Sequence, residues 1–365
     1  MKVQRLFSIR YVKVIALALW RTVVGLFYLG KRSASLLVNY SIYYFRRVVL
    51  FKTDQQARGL SNEQYARYLE EKSRKQVLAN DQPAAATTGS NIFADGPLLE
   101  ENKHVNALWI GSRLSKIEML TLQSFVDNGH IFHLWTYGPI DNELPEGVVL
   151  EDANQILPEE RIFRYKNFNK YGHGKGSVSG FSDIFRYKLL YDKGGWWIDM
   201  DVTCIKPLNV TTPYFFRKHH DLALVGNVMK CPPKSALMLA CYEQASAEVD
   251  ENNTDWHKPI EILNTHVFVN NLQQYIYGGV SNLDMWHEIA GLITGNQQVP
   301  VNYYFIHWMN EEWRSRDIDK NSFRYNSVLG KMMINAGLLQ KPVSALSFWL
   351  NDFWHRVCLG VYYHS

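Results

Sequence analysis

From residue 105 onward the apolar positions alternate between short runs and helical spacing. VNALWI at 105–110 is a compact apolar run closed by Gly111, and IFHLWT at 131–136 is a second, closed by Gly138-Pro139. Runs of this length bounded by turn residues read as buried strands. Residues 113–128 between them carry a helical pattern, and Val148-Val149-Leu150 makes a third strand. Strand, helix and strand in that order predict a parallel sheet with crossover helices, hence an α/β fold. The pattern is sharpest at 181–208, FSDIFRYKLLYDKGGWWIDMDVTCIKPL. Ser182 is placed to cap a helix, and Ile184, Phe185, Leu189 and Leu190 give that helix an apolar face. Gly194-Gly195 closes it, since glycine takes the left-handed conformation without a Cβ clash. Trp196-Trp197-Ile198 then reads as a buried strand. Further on, 222–225 is a strand ending in Gly226-Asn227, 236–247 is a helix, and YYFIHW at 303–308 is a short β-prone segment.

The region before the sheet follows a different pattern. VIALALWRTVVGLFYL at 14–29 is apolar but only 16 residues long, with Arg21 in its middle. A membrane span needs about 20 apolar residues, and a central Arg costs about 3 kcal/mol. Placed on a helix, Lys2, Arg5, Arg10, Lys13, Arg21 and Lys31 fall within an arc of about 160°. One basic face with the rest apolar describes a helix lying in a membrane interface, with a true span and a buried helix as alternatives. Leu, Val and Phe are too frequent in this arm for a nucleic-acid tail. No small-residue cleavage site follows the apolar stretch, so it does not read as a secretory signal peptide. Residues 61–79 open with the capping box Ser61-x-x-Gln64 and are charged almost throughout, a solvated helix linking anchor to body; 81–103 lack periodicity and read as a linker.

Charge sharpens the division. Residues 1–52 hold ten Lys or Arg and no acid, leaving 29 of the 39 basic residues against 35 acids in the rest, a net of −6. A basic arm on an acidic body points to an anionic membrane surface and not to nucleic acid. The 11 Trp, 21 Tyr and 18 Phe suit a carbohydrate site but equally fill cores. Cys204, Cys231, Cys241 and Cys358 form no CxxC pair and no zinc spacing, which fits buried thiols in a reduced compartment.

The chemistry sits where the Trp-Trp-Ile strand runs into Asp199-Met200-Asp201. Ligands bind at the C-terminal edge of such strands in open α/β sheets. Two acids one residue apart repel each other near apolar surface, and a hard divalent cation relieves that cost. A solvated turn after an edge strand is the plain alternative. The surroundings favour chemistry: Ser182-Asp183, Arg186-Tyr187, Gly194-Gly195 and Asp199-x-Asp201 fall in order within twenty residues. Asp183 and Arg186, at i and i+3, project from one helix face.

In this order the residues resemble the sugar-binding, DXD-containing glycosyltransferases. That group includes α-1,4-glycosyltransferases, yeast-type mannosyltransferases, bacterial polysaccharide-synthesis transferases and the glucosylating domain of large clostridial toxins. The resemblance covers roughly residues 105–208. It implies a GT-A (Rossmann-like) nucleotide-sugar-binding domain, a nucleotide-sugar donor and a Mn²⁺ or Mg²⁺ cofactor held by Asp199 and Asp201. It gives the donor-sugar hydroxyls and neighbouring phosphate to Asp183 and Arg186, and nucleotide support to Tyr187. It sets Trp109 against the base, with a core Trp as the alternative. His307 is its candidate third metal ligand, with a core or surface His as the alternative. The family's Gly-Pro-type acceptor motif is not visible; Ile262-Leu263-Asn264-Thr265-His266 stands where it is expected. Residues 165–180, with four glycines, are a surface loop or a flap bringing Lys166, Lys170 or Lys175 to a diphosphate; His173 has no assigned role.

The expected organisation is a basic amphipathic membrane-associating region at 1–52, a helix and linker at 53–104, a GT-A domain at 105–340 and an aromatic tail at 341–365. The expected activity is metal-dependent transfer of a hexose or N-acetylhexosamine from a nucleotide sugar to a glycan or lipid-linked acceptor, with retention, in cell-surface polysaccharide or glycolipid synthesis at the cytoplasmic face of the cell membrane. The alternatives are a Golgi type II membrane enzyme, supported if the sequons at Asn209 and Asn252 are used, and a catalytically silent membrane-bound carbohydrate- or nucleotide-binding protein.

Overall fold

The computed structural model describes residues 92–169, 173–340, 344–353 and 355. The basic arm at 1–52, the helix at 61–79, Lys170, Cys358 and the end of the aromatic tail lie outside them. By its internal contacts the chain divides into two compact units, one of residues 85–323 and 327–341, the other of 1–84, 324–326 and 342–365.

In the first unit the described strands are, in chain order, β1 (His104–Trp109), β2 (Ile131–Thr136), β3 (Val148–Asp152), β4 (Gly195–Ile198), β5 (Val202–Cys204), β6 (Phe215–Lys218), β7 (Leu224–Cys231), β8 (Ile276–Tyr277) and β9 (Phe305–His307). Seven build one sheet in the order β3-β2-β1-β4-β7-β6-β8. Every strand of it is parallel to β1 except β7, which runs antiparallel to both β4 and β6. This is the expected mixed α/β, Rossmann-like GT-A architecture. β5 and β9 form a separate antiparallel pair beside it.

After a single helical turn at Glu100–Lys103, the longer helices described in this unit are α1 (Lys116–Asp127), α2 (Ser179–Lys193), α3 (Ala236–Glu248), α4 (Lys258–Val269), α5 (Trp286–Thr294), α6 (Asn310–Ser315) and α7 (Val328–Asn335). Helix α1 starts on a capping box: Ser115 Oγ accepts from the Ile117 N–H at 3.3 Å, and Glu118 accepts from the Ser115 N–H at 2.7 Å. Helix α2 begins at Ser179, so Ser182 is inside it and is not its cap; the Ser182 N–H already donates to the Val178 carbonyl at 2.9 Å. Gly180 permits the earlier start, because a Cβ there would lie 2.2 Å from the Tyr165 hydroxyl oxygen. The helix ends on Gly194 at φ +68, as the Gly-Gly pair predicts.

Trp196 and Trp197 occupy successive strand positions and so enter opposite faces of the sheet. Trp197 packs with Phe185, Leu189, Met229 and Leu263 on the α2–α4 face. Trp196 packs with Leu122, Phe125, Val228 and Phe215 on the α1 face. Both are fully buried, and truncating either to Ala would cost about 3–5 kcal/mol.

Two segments depart from the expected pattern. The 81–103 linker is part of the body from Ile92 on. Phe93 stacks on Tyr304 at 3.5 Å and bridges to Val210, and buried Asn102 accepts from Trp196 Nε1 at 3.0 Å. The strand expected to stop at Gly226-Asn227 runs through both residues to Cys231. Gly226 is there for clearance: a Cβ would stand 2.7 Å from Arg186 Nη1.

In the second unit, α8 (Ala345–Phe353) carries Phe348, whose ring stacks with Tyr325 at 6.3 Å, and the Tyr325 N–H donates to Asn351 Oδ1 at 2.8 Å.

Candidate active site

The tight return from α2 through Gly194-Gly195 into β4 lays one helix face over the end of that strand. Arg186 Nη2 lies 3.1 Å from Asp183 Oδ1, one turn earlier, and donates to Asp199 Oδ1 at 3.0 Å. Trp197, two residues before Asp199 and on the same face, donates its indole N–H to Asp199 Oδ1 at 2.6 Å. The Arg186 guanidinium also sits 5.2 Å from the Trp197 ring centre. Asp183, Arg186 and Trp197 are buried, and the Asp199 side chain is partly exposed. Burial pushes the Asp183 carboxyl up to about 6, with Arg186 opposing and the Asp199 charge adding to the rise. Burial raises Asp199 as well, against the pull of Arg186 and with the Asp201 charge helping.

After Asp199 the chain leaves the main sheet. Thr121 on α1 donates its hydroxyl to the Met200 carbonyl at 3.0 Å, and β5 pairs with β9 so that Val202 faces His307. This register brings His307 Nε2 to 3.3 Å from Asp201 Oδ2. The same oxygen accepts the Asn310 N–H at 2.6 Å, and the Asp201 carbonyl accepts the Trp308 N–H at 2.8 Å. On the far side of the imidazole, Nδ1 meets Asp284 Oδ1 at 2.7 Å, and Asp284 Oδ2 accepts from Arg217 Nη1 at 2.6 Å. Burial works against charge on His307, yet Asp201 and Asp284 on its two sides raise it to about 10. Burial also opposes the ionised Asp201, but the His307 charge and hydrogen bond and the Asn310 N–H hold it below its usual range.

The expected three-ligand set of Asp199, Asp201 and His307 is therefore split. Asp201 and His307 meet; the Asp199 carboxylate is committed to Arg186 and Trp197, the nearest cation and N–H donor on its own face. Among the described residues no group of three His, Cys, Asp or Glu side chains is gathered closely enough to hold a metal ion. The Asp201–His307 pair fits a hard divalent cation in its donor chemistry. It offers one carboxylate oxygen and one imidazole nitrogen, with the other nitrogen fixed by a carboxylate, as is usual for ligating histidines.

The remaining expected residues separate clearly. Trp109 ends β1, beside β4, and its buried indole Nε1 has no partner among the described residues. Tyr187 is 1% exposed, lies in the α2–α4 core and donates its hydroxyl to the Pro259 carbonyl at 2.9 Å, a contact that supports the fold. The loop lysines are also spoken for, as Lys166 pairs with Glu251 and Lys175 lies 5.4 Å from the Phe168 ring centre. The loop is tied to α6 where the Gly174 N–H donates to Glu311 at 2.9 Å and Arg314 donates to the Lys175 carbonyl at 3.0 Å. His173 lies 3.5 Å from Glu312. Asn264 binds the Leu224 N–H and carbonyl at the start of β7, a structural contact inside α4 and not an acceptor motif. Asp284 and Arg217 stand in stretches of the sequence without a motif, and Asn227 reads there only as the end of a strand.

Residues 148–215 match the family model of the glycosyltransferase sugar-binding region containing DXD motif. The span includes Asp183, Arg186, Asp199 and Asp201. It places a DXD-type glycosyltransferase region in this chain and makes it an enzyme of glycosyl transfer. None of the curated proteins matches the sequence. Among solved structures the chain is similar to a PaToxG glycosyltransferase, at 10% identity and a TM-score of 0.34, covering 82% of this chain and 96% of that one. It is also similar to a transferase mutant with cysteine-to-serine substitutions, at 11% identity and a TM-score of 0.32, covering 51% of this chain and 96% of that one.

Proposed function

We propose that the enzyme transfers a hexose or N-acetylhexosamine from a nucleotide sugar to a glycan or lipid-linked acceptor in cell-surface polysaccharide or glycolipid synthesis, with retention and with a divalent cation. The observation that carries this reading is the pair of clusters at one strand end. The Asp183–Arg186–Asp199 clamp and the Asp201–His307 pair flank a single turn inside the segment that matches the sugar-binding region.

Asp201 and His307 would hold Mn²⁺ or Mg²⁺. The cation, when bound, would supply Lewis-acid neutralisation of charge on a leaving diphosphate. The chain's own residues do the rest. Arg186 carries a fixed positive charge at the strand end, oriented by two carboxylates and an aromatic face, where a donor phosphate or sugar hydroxyl can meet it. Asp183, raised to about 6 and so mostly ionised at neutral pH, can accept from a sugar hydroxyl. Trp109 offers an indole N–H and a ring at the neighbouring strand end, suited to a nucleotide base. With no carboxylate assigned as nucleophile, front-face attack by the acceptor hydroxyl is the working mechanism.

The membrane part of the reading rests on the basic arm at 1–52, placed at the cytoplasmic face. No helix among the described residues is long and apolar enough to cross a membrane. Of the two sequons that a luminal enzyme could use, Asn209 is 2% exposed with its amide bound to the Ala94 and Pro97 carbonyls, while Asn252 is exposed.

The test is hydrolysis of a panel of nucleotide sugars by the full-length protein with Mn²⁺ and with chelator. Release of nucleoside diphosphate from at least one donor, abolished by chelation, is expected. Metal-independent turnover overturns the cation assignment, and binding without turnover of any donor favours a silent binding protein.

A further inference from the structure

Four buried polar atoms around the end of β4 lack a hydrogen-bond partner among the described residues. They are Trp109 Nε1, Arg186 Nε, and both Nδ2 and Oδ1 of Asn227. Buried polar groups are almost always paired, because leaving one unpaired forfeits its hydration without return. Asn227 is the extreme case: its residue is 5% exposed, and the amide can neither donate nor accept.

The structural asparagines of the same body show what a satisfied amide looks like here. Asn102 donates to Asn209 and the Val210 carbonyl and accepts from Trp196 and Lys230. Asn209 accepts from the Leu99 N–H and donates to the Ala94 and Pro97 carbonyls. Asn264 accepts from Leu224 and donates to the Leu224 and Ile260 carbonyls. Asn227 therefore has no evident role in holding the fold through its side chain. Its place is at the site: its carbonyl accepts the Asp199 N–H at 2.8 Å. Its neighbour Gly226 is the residue that clears Arg186 Nη1.

We propose that Asn227 is a binding residue for the donor's sugar ring, its amide meeting hydroxyl groups of the hexose. The unmet valences select that ligand chemistry. A phosphate oxygen only accepts, and would leave Asn227 Oδ1 unpaired. A hydroxyl both donates and accepts, so neighbouring sugar hydroxyls can satisfy Nδ2 and Oδ1 together. The inference rests on the glycosyl-transfer reading and adds a residue of β7, outside the segment that carries the DXD motif.

The test is calorimetric titration of the full-length protein with Mn²⁺ present. UDP-glucose, UDP-N-acetylglucosamine and GDP-mannose serve as sugar-bearing probes, and UDP and GDP as sugar-free ones. Asn227→Leu replaces the amide by an apolar group of similar size. It is expected to weaken the sugar-bearing ligand about ten- to a hundredfold, to change the affinity of its sugar-free counterpart by less than about twofold, and to leave Tm unchanged or raised. Asn227→Ala adds no bulk and carries the same test if the leucine is not accommodated. Equal losses for the sugar-bearing and sugar-free ligands overturn the sugar assignment. A lowered Tm with unchanged affinity makes Asn227 a structural residue and also overturns it. A wild type that binds UDP or GDP but gains nothing from any attached sugar overturns the glycosyl-transfer reading together with this inference.

Discussion

His307 Nε2 lies 3.3 Å from Asp201 Oδ2, and the imidazole is clamped from behind by Asp284 at 2.7 Å. His307 ends β9 and pairs with Val202 of β5, and Asp201 is the residue just before Val202, so backbone register at the end of the ladder fixes their approach. A histidine oriented in this way presents one nitrogen to the strand end where Asp199 and Arg186 also converge.

Asp284 should therefore act through His307. Asp284→Asn keeps the shape but removes the charge that orients the imidazole, and Mn²⁺ affinity is expected to fall about 10–100-fold. Titration of the full-length protein with Mn²⁺, without donor, reads this directly. An unchanged affinity would leave Asp284 as no more than the partner of buried Arg217.

Stability of the metal-free protein should respond to pH in two windows. His307 is raised from an ordinary value of 6.5 to about 10, so its contribution is fully present below pH 6.5 and is lost as pH rises through about 10. Asp183 is raised from 3.8 to about 6, so the folded state keeps a proton that the unfolded chain has released. Its contribution falls as pH rises from about 4 to 6 and is level above. Both slopes have the same sign, and Tm measured from pH 4 to 10 should lose the upper slope in His307→Gln and the lower one in Asp183→Asn. Retention of both slopes in the variants would show that other groups set the profile.

The acid pair divides its work, and the variants should divide with it. Asp201→Asn is expected to abolish metal-dependent donor hydrolysis and to weaken Mn²⁺ binding, since Asp201 faces His307. Asp199→Asn should also abolish hydrolysis, but with a smaller loss of Mn²⁺ affinity, because its carboxylate holds Arg186. Circular dichroism checks that both remain folded. Wild-type turnover by either variant at saturating donor would remove the acid pair from the mechanism.

The sequence carries the sheet's first four strands well, because each is an apolar run bounded by glycine or proline. It carries the Asp183–Arg186 pair and the Asp-x-Asp for a different reason, namely that they are neighbours along the chain. Asp284 reaches the site from the segment between β8 and α5 by contact with His307 of β9, and Asn227 reaches it on an antiparallel β7, and local spacing holds no trace of such approaches. Gly226-Asn227 misleads for a physical reason: the dipeptide is a common turn signal, and here the missing Cβ makes room for a guanidinium. Tyr187 follows Arg186 in sequence but projects about 100° around the helix from it, into the core.

The arm at 1–52 should bind anionic membranes peripherally. Each Lys or Arg near such a surface contributes about 1 kcal/mol, weakened by salt over a Debye length of about 8 Å at physiological strength. High salt or carbonate should release at least part of the full-length protein, and removal of 1–52 should yield a soluble enzyme that still hydrolyses donor. Fractionation with protease protection of an N-terminal tag checks this. Full resistance to carbonate, with tag and catalytic body on opposite sides, would establish a span.

Arg186 is the residue on which the clamp depends, and its loss should differ in kind from the loss of Asp183. Arg186→Ala leaves buried Asp183 and partly exposed Asp199 without their cation, which is expected to cost about 3 kcal/mol. Asp183→Ala leaves Arg186 paired with Asp199 and should cost about 1–2 kcal/mol. Because the two pair with each other, the double variant should be less destabilised than the sum of the singles, by denaturant unfolding of all three. Function should follow a different order. Both singles are expected to slow donor hydrolysis measured without acceptor, since each presents a polar group at the strand end. Normal hydrolysis by both, alongside the predicted loss of stability, would mean that the pair holds the helix to the strand and does not touch the donor.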